Sequence, residues 1–144
     1  QCWTLPYVPG KRYIDKQVYV LTGPQTASAA EEFAYTLQHL KRATIVGERT
    51  MGAANPIEHY QITPHVAAYI PMGRAINAIT GTNWEGTGVI PDREVPQETA
   101  LKVAHLDAVQ IVLETLKKSS SPAYKALEKE AQLLIQELLS IEQE

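Results

Sequence analysis

Cysteine is nearly absent from this chain of 144 residues, and Cys2 is its only example. A single thiol excludes any intrachain disulfide and any cysteine-built metal site. It leaves the compartment open, because many secreted bacterial proteins also lack disulfides. Long apolar runs are missing as well, and no stretch approaches the ~20 residues that a transmembrane helix needs. Basic clusters are scarce: none exceeds the pair Lys117–Lys118, and 13 Lys and Arg against 16 Asp and Glu leave a formal charge of −3. Nucleic acids and anionic membranes select a basic face, so neither is an expected partner. No signal-peptide pattern is present, but the chain opens at Gln1 rather than Met, which leaves the native start and any leader open.

What the chain does have is an ordinary globular composition, 44% apolar and 20% charged, with enough length for a real core. After an irregular lead-in over 1–16, the run Gln17-Val-Tyr-Val-Leu21 reads as a strand buried on both faces. Residues 28–41 read as a helix whose apolar face is Ala30, Phe33, Ala34, Leu37 and Leu40. Ser28 followed by Glu31 is a capping-box start. Ala43-Thr-Ile-Val-Gly47 completes a strand–helix–strand unit, which predicts parallel pairing. Three short β-prone segments follow, His59–Thr63, Val66–Met72 and Arg74–Ile79, expected as hairpin-like strands flanking that sheet. Asn83–Gly88 is a glycine-rich turn with Val89–Asp92 leading out of it. A helix is expected over 98–118 with Leu101, Ala104, Ala108, Ile111 and Val112 on its apolar side. Lys117 and Lys118 suit its negative C-terminal end. Ser119–Ser121 break the chain and Pro122 can open a last helix. Its stripe of Leu127, Ala131, Leu134, Leu138 and Ile141 predicts packing on its own domain, with a partner-binding helix as the alternative.

In open α/β sheets, ligands lie beyond the C-terminal ends of parallel strands. Here that region is the Thr22–Ala27 loop, running into Ser28 at a helix start. A hydroxyl there sits beside unpaired backbone N–H groups and the positive end of the helix dipole, as a nucleophile and its oxyanion would require. A capping box accounts for the same serine without catalysis, and caps far outnumber catalytic serines. The pattern alone leaves both readings standing. Of the four histidines, His39 lies near a helix end where an imidazole commonly meets free carbonyls, and His105 is mid-helix. His59 and His65 flank a strand, His65 being the better placed to reach a site. No histidine pair has metal-ligand spacing, so neither a metal nor a cofactor is expected.

Four segments in order shift the balance: Val18-Tyr-Val-Leu-Thr22, Thr26-Ala-Ser-Ala-Ala-Glu-Glu-Phe33, Arg42-Ala-Thr-Ile-Val-Gly-Glu-Arg-Thr-Met-Gly52 and Trp84-Glu-Gly-Thr-Gly-Val-Ile-Pro-Asp92. The series resembles the catalytic domain of the C-terminal processing (tail-specific) serine peptidases over roughly residues 3–115. It is more similar to the branch containing the tricorn core protease and the modules of interphotoreceptor retinoid-binding protein. Gly73-Arg-Ala-Ile-Asn77 and Tyr7-Val-Pro-Gly-Lys11 resemble bacterial members of that branch. The resemblance implies a ClpP/crotonase-like α/β fold with a parallel βαβ core, extra short strands and C-terminal helices. Residues 1–118 would form the C-terminal part of the catalytic domain, and 119–144 a helical extension.

By the same resemblance Ser28 falls on the family nucleophile, and the amide of Ala29 would be one oxyanion donor, with an upstream glycine as another. In the Ser–Lys members a lysine follows the last glycine of the Gly47–Gly52 motif, whereas here Ala53 does and cannot take a proton. A Ser–Lys dyad is therefore excluded. The tricorn-like alternative takes a histidine from the earlier half of the domain, with Glu85 in the orienting role. The implied function is a serine endopeptidase that acylates on Ser28, with a catalytically silent binder of apolar ligands or peptides as the alternative. The implied partners are a peptide or protein substrate and the missing N-terminal half, with a homo-oligomer left open. Family habit implies export to the periplasm or beyond.

Overall fold

The computed structural model describes residues 7–116 and 122–141. Expectations for Cys2, Lys117, Lys118, Ser119–Ser121 and the side chain of Ile141 lie outside the described residues. The elements in order are β1 (Tyr19–Thr22), α1 (Ala29–His39), β2 (Thr44–Gly47), β3 (Ile57–Thr63), β4 (Val66–Pro71), β5 (Arg93–Glu94), α2 (Gln97–Leu116) and α3 (Pro122–Ile141).

β2 is the centre of the fold. It pairs in parallel with β1, from Tyr19 opposite Thr44 to Thr22 opposite Gly47, and in parallel with β5 through Val46–Arg93 and Gly47–Glu94. Ile45 and Val46 are successive residues of a strand, so they point to opposite faces, and both are fully buried. Ile45 joins Ala34 of α1 with Ala54, Trp84 and Val89 in one cluster. Val46 joins Ala100, Val103 and Ala104 of α2 in another. The two helices thus cover opposite faces of the sheet, and burial of each aliphatic side chain contributes about 1.5–3 kcal/mol. α3 lays Leu127, Ala131, Leu134 and Leu138 against Leu106, Val109 and Leu113 of α2, along the stripe its sequence predicts.

The strand ends are tied by a reciprocal clamp. The hydroxyl of Thr22 donates to the carbonyl of Glu48 at 2.9 Å, and the N–H of Glu48 donates to the carbonyl of Thr22 at 3.0 Å. The approach is close enough that a Cβ on Gly47, which has φ 131°, would lie 2.0 Å from the Thr22 carbonyl oxygen. Only glycine fits there.

Several expectations need correction. β1 is not buried on both faces, because Leu21 is 41% exposed, and among the described residues it stands at the edge of the sheet. The apolar face expected for α1 is only partly covered: Ala34 is buried, but Phe33 and Leu40 are each 57% exposed. The helix turns Glu31 and Ala34 inward instead, because its polar N-terminal turn has buried donors to meet. β3 and β4 do form the expected hairpin, an antiparallel pair standing as its own two-stranded sheet beside the parallel one. Arg74–Ile79 forms no strand. The side chain of Asn77 accepts the N–H groups of Ile79 and Thr80, an Asx turn that competes with ladder pairing. The lead-out after Val89 instead delivers a strand that the sequence does not announce, the two-residue β5. On α2, Leu101 is 65% exposed, while Ala100, Val103, Leu106 and Val109 are the buried positions with Ala104. The sheet and α3 approach α2 from different sides, so its buried face is broader and rotated from a single stripe.

Candidate active site

The loop after β1 is a closed turn. The N–H of Gly23 donates to the hydroxyl of Thr26 at 3.1 Å, and the N–H of Thr26 donates back to the Gly23 carbonyl at 2.9 Å. An open cleft of ≈ 200 Å³ lies beside this turn, lined by Leu21, Thr22, Gly23, Gln25, Thr26, Gln97 and Ala100. The turn delivers Ser28 to the N-terminus of α1, exposed to solvent. Its backbone has φ 55° and ψ −120°. An ordinary N-cap residue sits in the β region, whereas a positive φ on a residue with a Cβ carries strain of about 1–3 kcal/mol. Ala29 follows as the first helical residue, so its N–H has no intrahelical acceptor.

Glu31 is the buried centre of the site, with no exposed surface. Its Oε2 accepts the N–H of Ser28 at 2.9 Å and that of Ala53 at 2.8 Å. Its Oε1 accepts the hydroxyl of Thr50 at 2.5 Å and the N–H of Gly52 at 2.7 Å. Burial pushes the carboxyl up, but the bonds from Thr50, Gly52, Ala53 and Ser28 together outweigh it and hold it below the ordinary glutamate range. Glu85 continues the pattern from the turn after Trp84, its Oε2 accepting the N–H groups of Ala54 at 2.7 Å and Asn55 at 2.9 Å. Four consecutive backbone donors, 52 to 55, are therefore divided between two carboxylates. Thr50 completes the frame, because its hydroxyl accepts the N–H of Val89 at 2.6 Å.

The structure thus links Ser28 to Glu85 through Glu31 and the segment 52–55. The sequence pattern alone gives Glu31 only the role of a helix cap. The spacing found the residue but could not give it this weight, because three of its donors come from a distant loop. Ala53 offers only its amide to the network. Among the described residues, none of the four histidines bonds to Ser28, Glu31 or Glu85. His39 packs on the ring of Tyr35, with centroids 4.2 Å apart, rather than meeting free carbonyls, and His59 packs on Tyr69 at 5.2 Å. His105 pairs with Glu130 at 3.1 Å, and the N–H of His65 turns back to Thr63. No helix among the described residues is long and apolar enough to cross a membrane.

A parallel βαβ unit thus delivers a serine of positive φ to the start of a helix, with two carboxylates holding the loop beside it. The profile of peptidase family S41 matches residues 7–95, more than half of the chain, and the protein belongs to that family. The resemblance to the C-terminal processing peptidases is borne out at that level. Mature CPAF complexed with lactacystin is similar at 26% identity over 76% of this chain and 22% of that chain, with a TM-score of 0.58. Another structure of mature CPAF matches at 24% identity over 79% and 23%, with a TM-score of 0.58. The photosystem II D1 C-terminal processing protease matches at 30% identity over 56% and 21%, with a TM-score of 0.48. The chain spans about a fifth of the length of these solved structures. The ClpP/crotonase-like α/β class with C-terminal helices agrees with the likeness to CPAF.

Proposed function

We propose that the chain carries the nucleophile-bearing part of a serine endopeptidase site, and that it acylates on Ser28. The observation that carries this reading is the backbone of Ser28, exposed at a helix start and held at φ 55°. A cap gains nothing from that strain, whereas a nucleophile gains presentation beside unpaired amides. The Oγ of Ser28 attacks the peptide carbonyl carbon while a base takes its proton. The N–H of Ala29 donates to the oxyanion, and a glycine upstream of this chain supplies the second donor. Collapse expels the amine, which takes the proton from the base, and water then hydrolyses the ester.

Ala53 cannot accept a proton, and on the tricorn-like resemblance the base is a histidine of the preceding polypeptide. Glu85 orients it through Oε1, its Oε2 being engaged by Ala54 and Asn55. Support for a preceding segment of the same domain comes from the place of β1 at the sheet edge among the described residues, and from the exposed Leu21, Phe33 and Leu40. Residues 1–118 are read as the C-terminal part of that catalytic domain and 119–144 as a helical extension. The substrates are peptides or protein tails, the branch is the tricorn-like one, and the protein is exported. Ala53 favours one other reading, a catalytically silent module binding apolar ligands or peptides.

A fluorophosphonate probe on the full-length protein, read by intact mass, tests the choice. Stoichiometric labelling that disappears in Ser28→Ala is the expected result. A folded protein that resists the probe would make Ser28 a helix cap and give the lead to the binding module.

A further inference from the structure

We infer that Glu31 is a positioning residue for Ser28: its buried carboxylate grips the backbone of the nucleophile and that of the 52–53 segment together. The inference rests on the reading of Ser28 as the nucleophile and assigns the device that holds it. A capping box asks of the Glu31 carboxylate only the bond to the N–H of Ser28, its other half being the Ser28 side chain on the N–H of Glu31, and it works on an exposed helix end. Here the other three donors, Thr50, Gly52 and Ala53, lie 19 to 22 residues away, and the carboxylate has no exposed surface.

Each oxygen is used twice. Oε2 bridges Ser28 to Ala53, and Oε1 bridges Thr50 to Gly52. A carboxylate is the one side-chain group with that many acceptor sites and no donor. Glutamine, similar in shape, would present an NH2 group to two of these donors and leave them unpaired in a buried place. The bond to Ser28 is made by its backbone N–H, so it acts on the conformation of the residue rather than on the hydroxyl. Loosened at that point, the serine relaxes from φ 55° and its hydroxyl leaves the position from which it attacks. Gly52 and Ala53 would loosen with it, while Ala54 and Asn55 stay fixed to Glu85.

The test compares Glu31→Gln with wild type in the full-length protein, measuring fluorophosphonate inactivation and hydrogen exchange of peptides covering 26–33 and 50–56. Asp107→Asn, which breaks the pair with Arg93 on the opposite face of the sheet, serves as a stability control. In Glu31→Gln the limiting inactivation rate should fall at least about tenfold with probe affinity within about twofold, as expected for a displaced nucleophile. Exchange protection should fall at Ser28, Gly52 and Ala53. Asp107→Asn should keep the limiting rate even where its melting temperature drops as far. An unchanged limiting rate in folded Glu31→Gln overturns the inference. Should wild type itself resist the probe, the nucleophile reading fails, and exchange alone decides the clamp: lost protection at those amides upholds it, and unchanged protection ends it.

Discussion

Glu85 accepts the backbone N–H of Ala54 at 2.7 Å from a turn 31 residues further along the chain, and the same oxygen accepts the N–H of Asn55. A residue expected to orient a catalytic base is thus already employed in fixing the loop next to the nucleophile. The two roles separate by substitution. Glu85→Gln can keep one oxygen on both amides while losing the charge, so the fold and melting temperature should change little. Labelling of Ser28 by the fluorophosphonate probe should slow by about tenfold, equivalent to roughly 1.4 kcal/mol of lost activation. Glu85→Ala should slow labelling further and loosen 54–55 in hydrogen exchange. Full-rate labelling of Glu85→Gln would leave Glu85 a loop clamp only.

Strain at Ser28 gives a second prediction with opposite signs for two readouts. Ser28→Gly removes the hydroxyl and relieves the positive φ, which should stabilise the protein by about 1 kcal/mol and abolish labelling. Ser28→Ala keeps the Cβ and the strain, so it should abolish labelling without that gain. Were Ser28 a plain cap, Ser28→Gly would cost a few tenths and Ser28→Ala about 1 kcal/mol. Thermal melts of the two variants therefore weigh the backbone strain against the capping bond, and labelling reports the nucleophile.

What was legible in the sequence follows from how local each cause is. The parallel βαβ unit showed because Val18–Leu21 and Ala43–Val46 carry their β propensity within the segment, and because Ser28 and Glu31 mark the helix start. β5 did not show, since Arg93–Glu94 is polar and becomes a strand only because β2 offers it a free edge. Arg74–Ile79 looked extended from its side chains, but the Asn77 turn captured the amides that a ladder would have used. At the site, Ser28, Ala29 and Glu85 were named from motifs. The tie between Ser28 and the segment 50–53 is a contact between distant stretches, and no spacing reveals it.

The depressed carboxyl of Glu31 sets an acid dependence. Its folded-state pKa lies below the unfolded value of about 4.3, so its stabilising contribution is fully present above that pH. The contribution is lost as pH falls from there through the folded pKa. Acid titration followed by circular dichroism should show wild type losing stability in this window. Glu31→Gln should be less stable than wild type near neutrality, with the difference shrinking as the acid limb is descended. A constant difference from pH 7 to the acid limb would mean that Glu31 does not supply the charge-linked part of stability.

Gly47 is the strictest backbone position in the sheet. Its φ of 131° is outside the range of residues with a Cβ, and an added methyl would lie 2.0 Å from the Thr22 carbonyl oxygen. Gly47→Ala should open the clamp between Thr22 and Glu48 and destabilise the fold by on the order of 3 kcal/mol. Gly81 has φ 68° but open space around it, so Gly81→Ala should cost only the backbone strain of about 1 kcal/mol. Urea titrations of the pair measure the two terms, close approach and conformation, against each other. Equal losses would mean that the strand ends part easily to admit the methyl.

Two leucines on α2 test where that helix is buried. Leu101 belongs to the stripe that the sequence alone favours, yet it is 65% exposed, whereas Leu106 is 9% exposed and packs with Val109 and Ala131. Truncating a buried leucine removes its transfer free energy and leaves a cavity, so Leu106→Ala should cost about 2–5 kcal/mol. Leu101→Ala should stay within about 0.5 kcal/mol, because little surface returns to water. Both changes are the same chemistry in the same helix, so propensity cancels and only packing differs. Denaturant unfolding of the two variants under identical conditions gives the comparison. A large loss at Leu101 would mean that its face is covered in the intact protein, most directly by polypeptide beyond the described residues, and labelling kinetics of that variant would then report whether the covering segment also serves the site at Ser28.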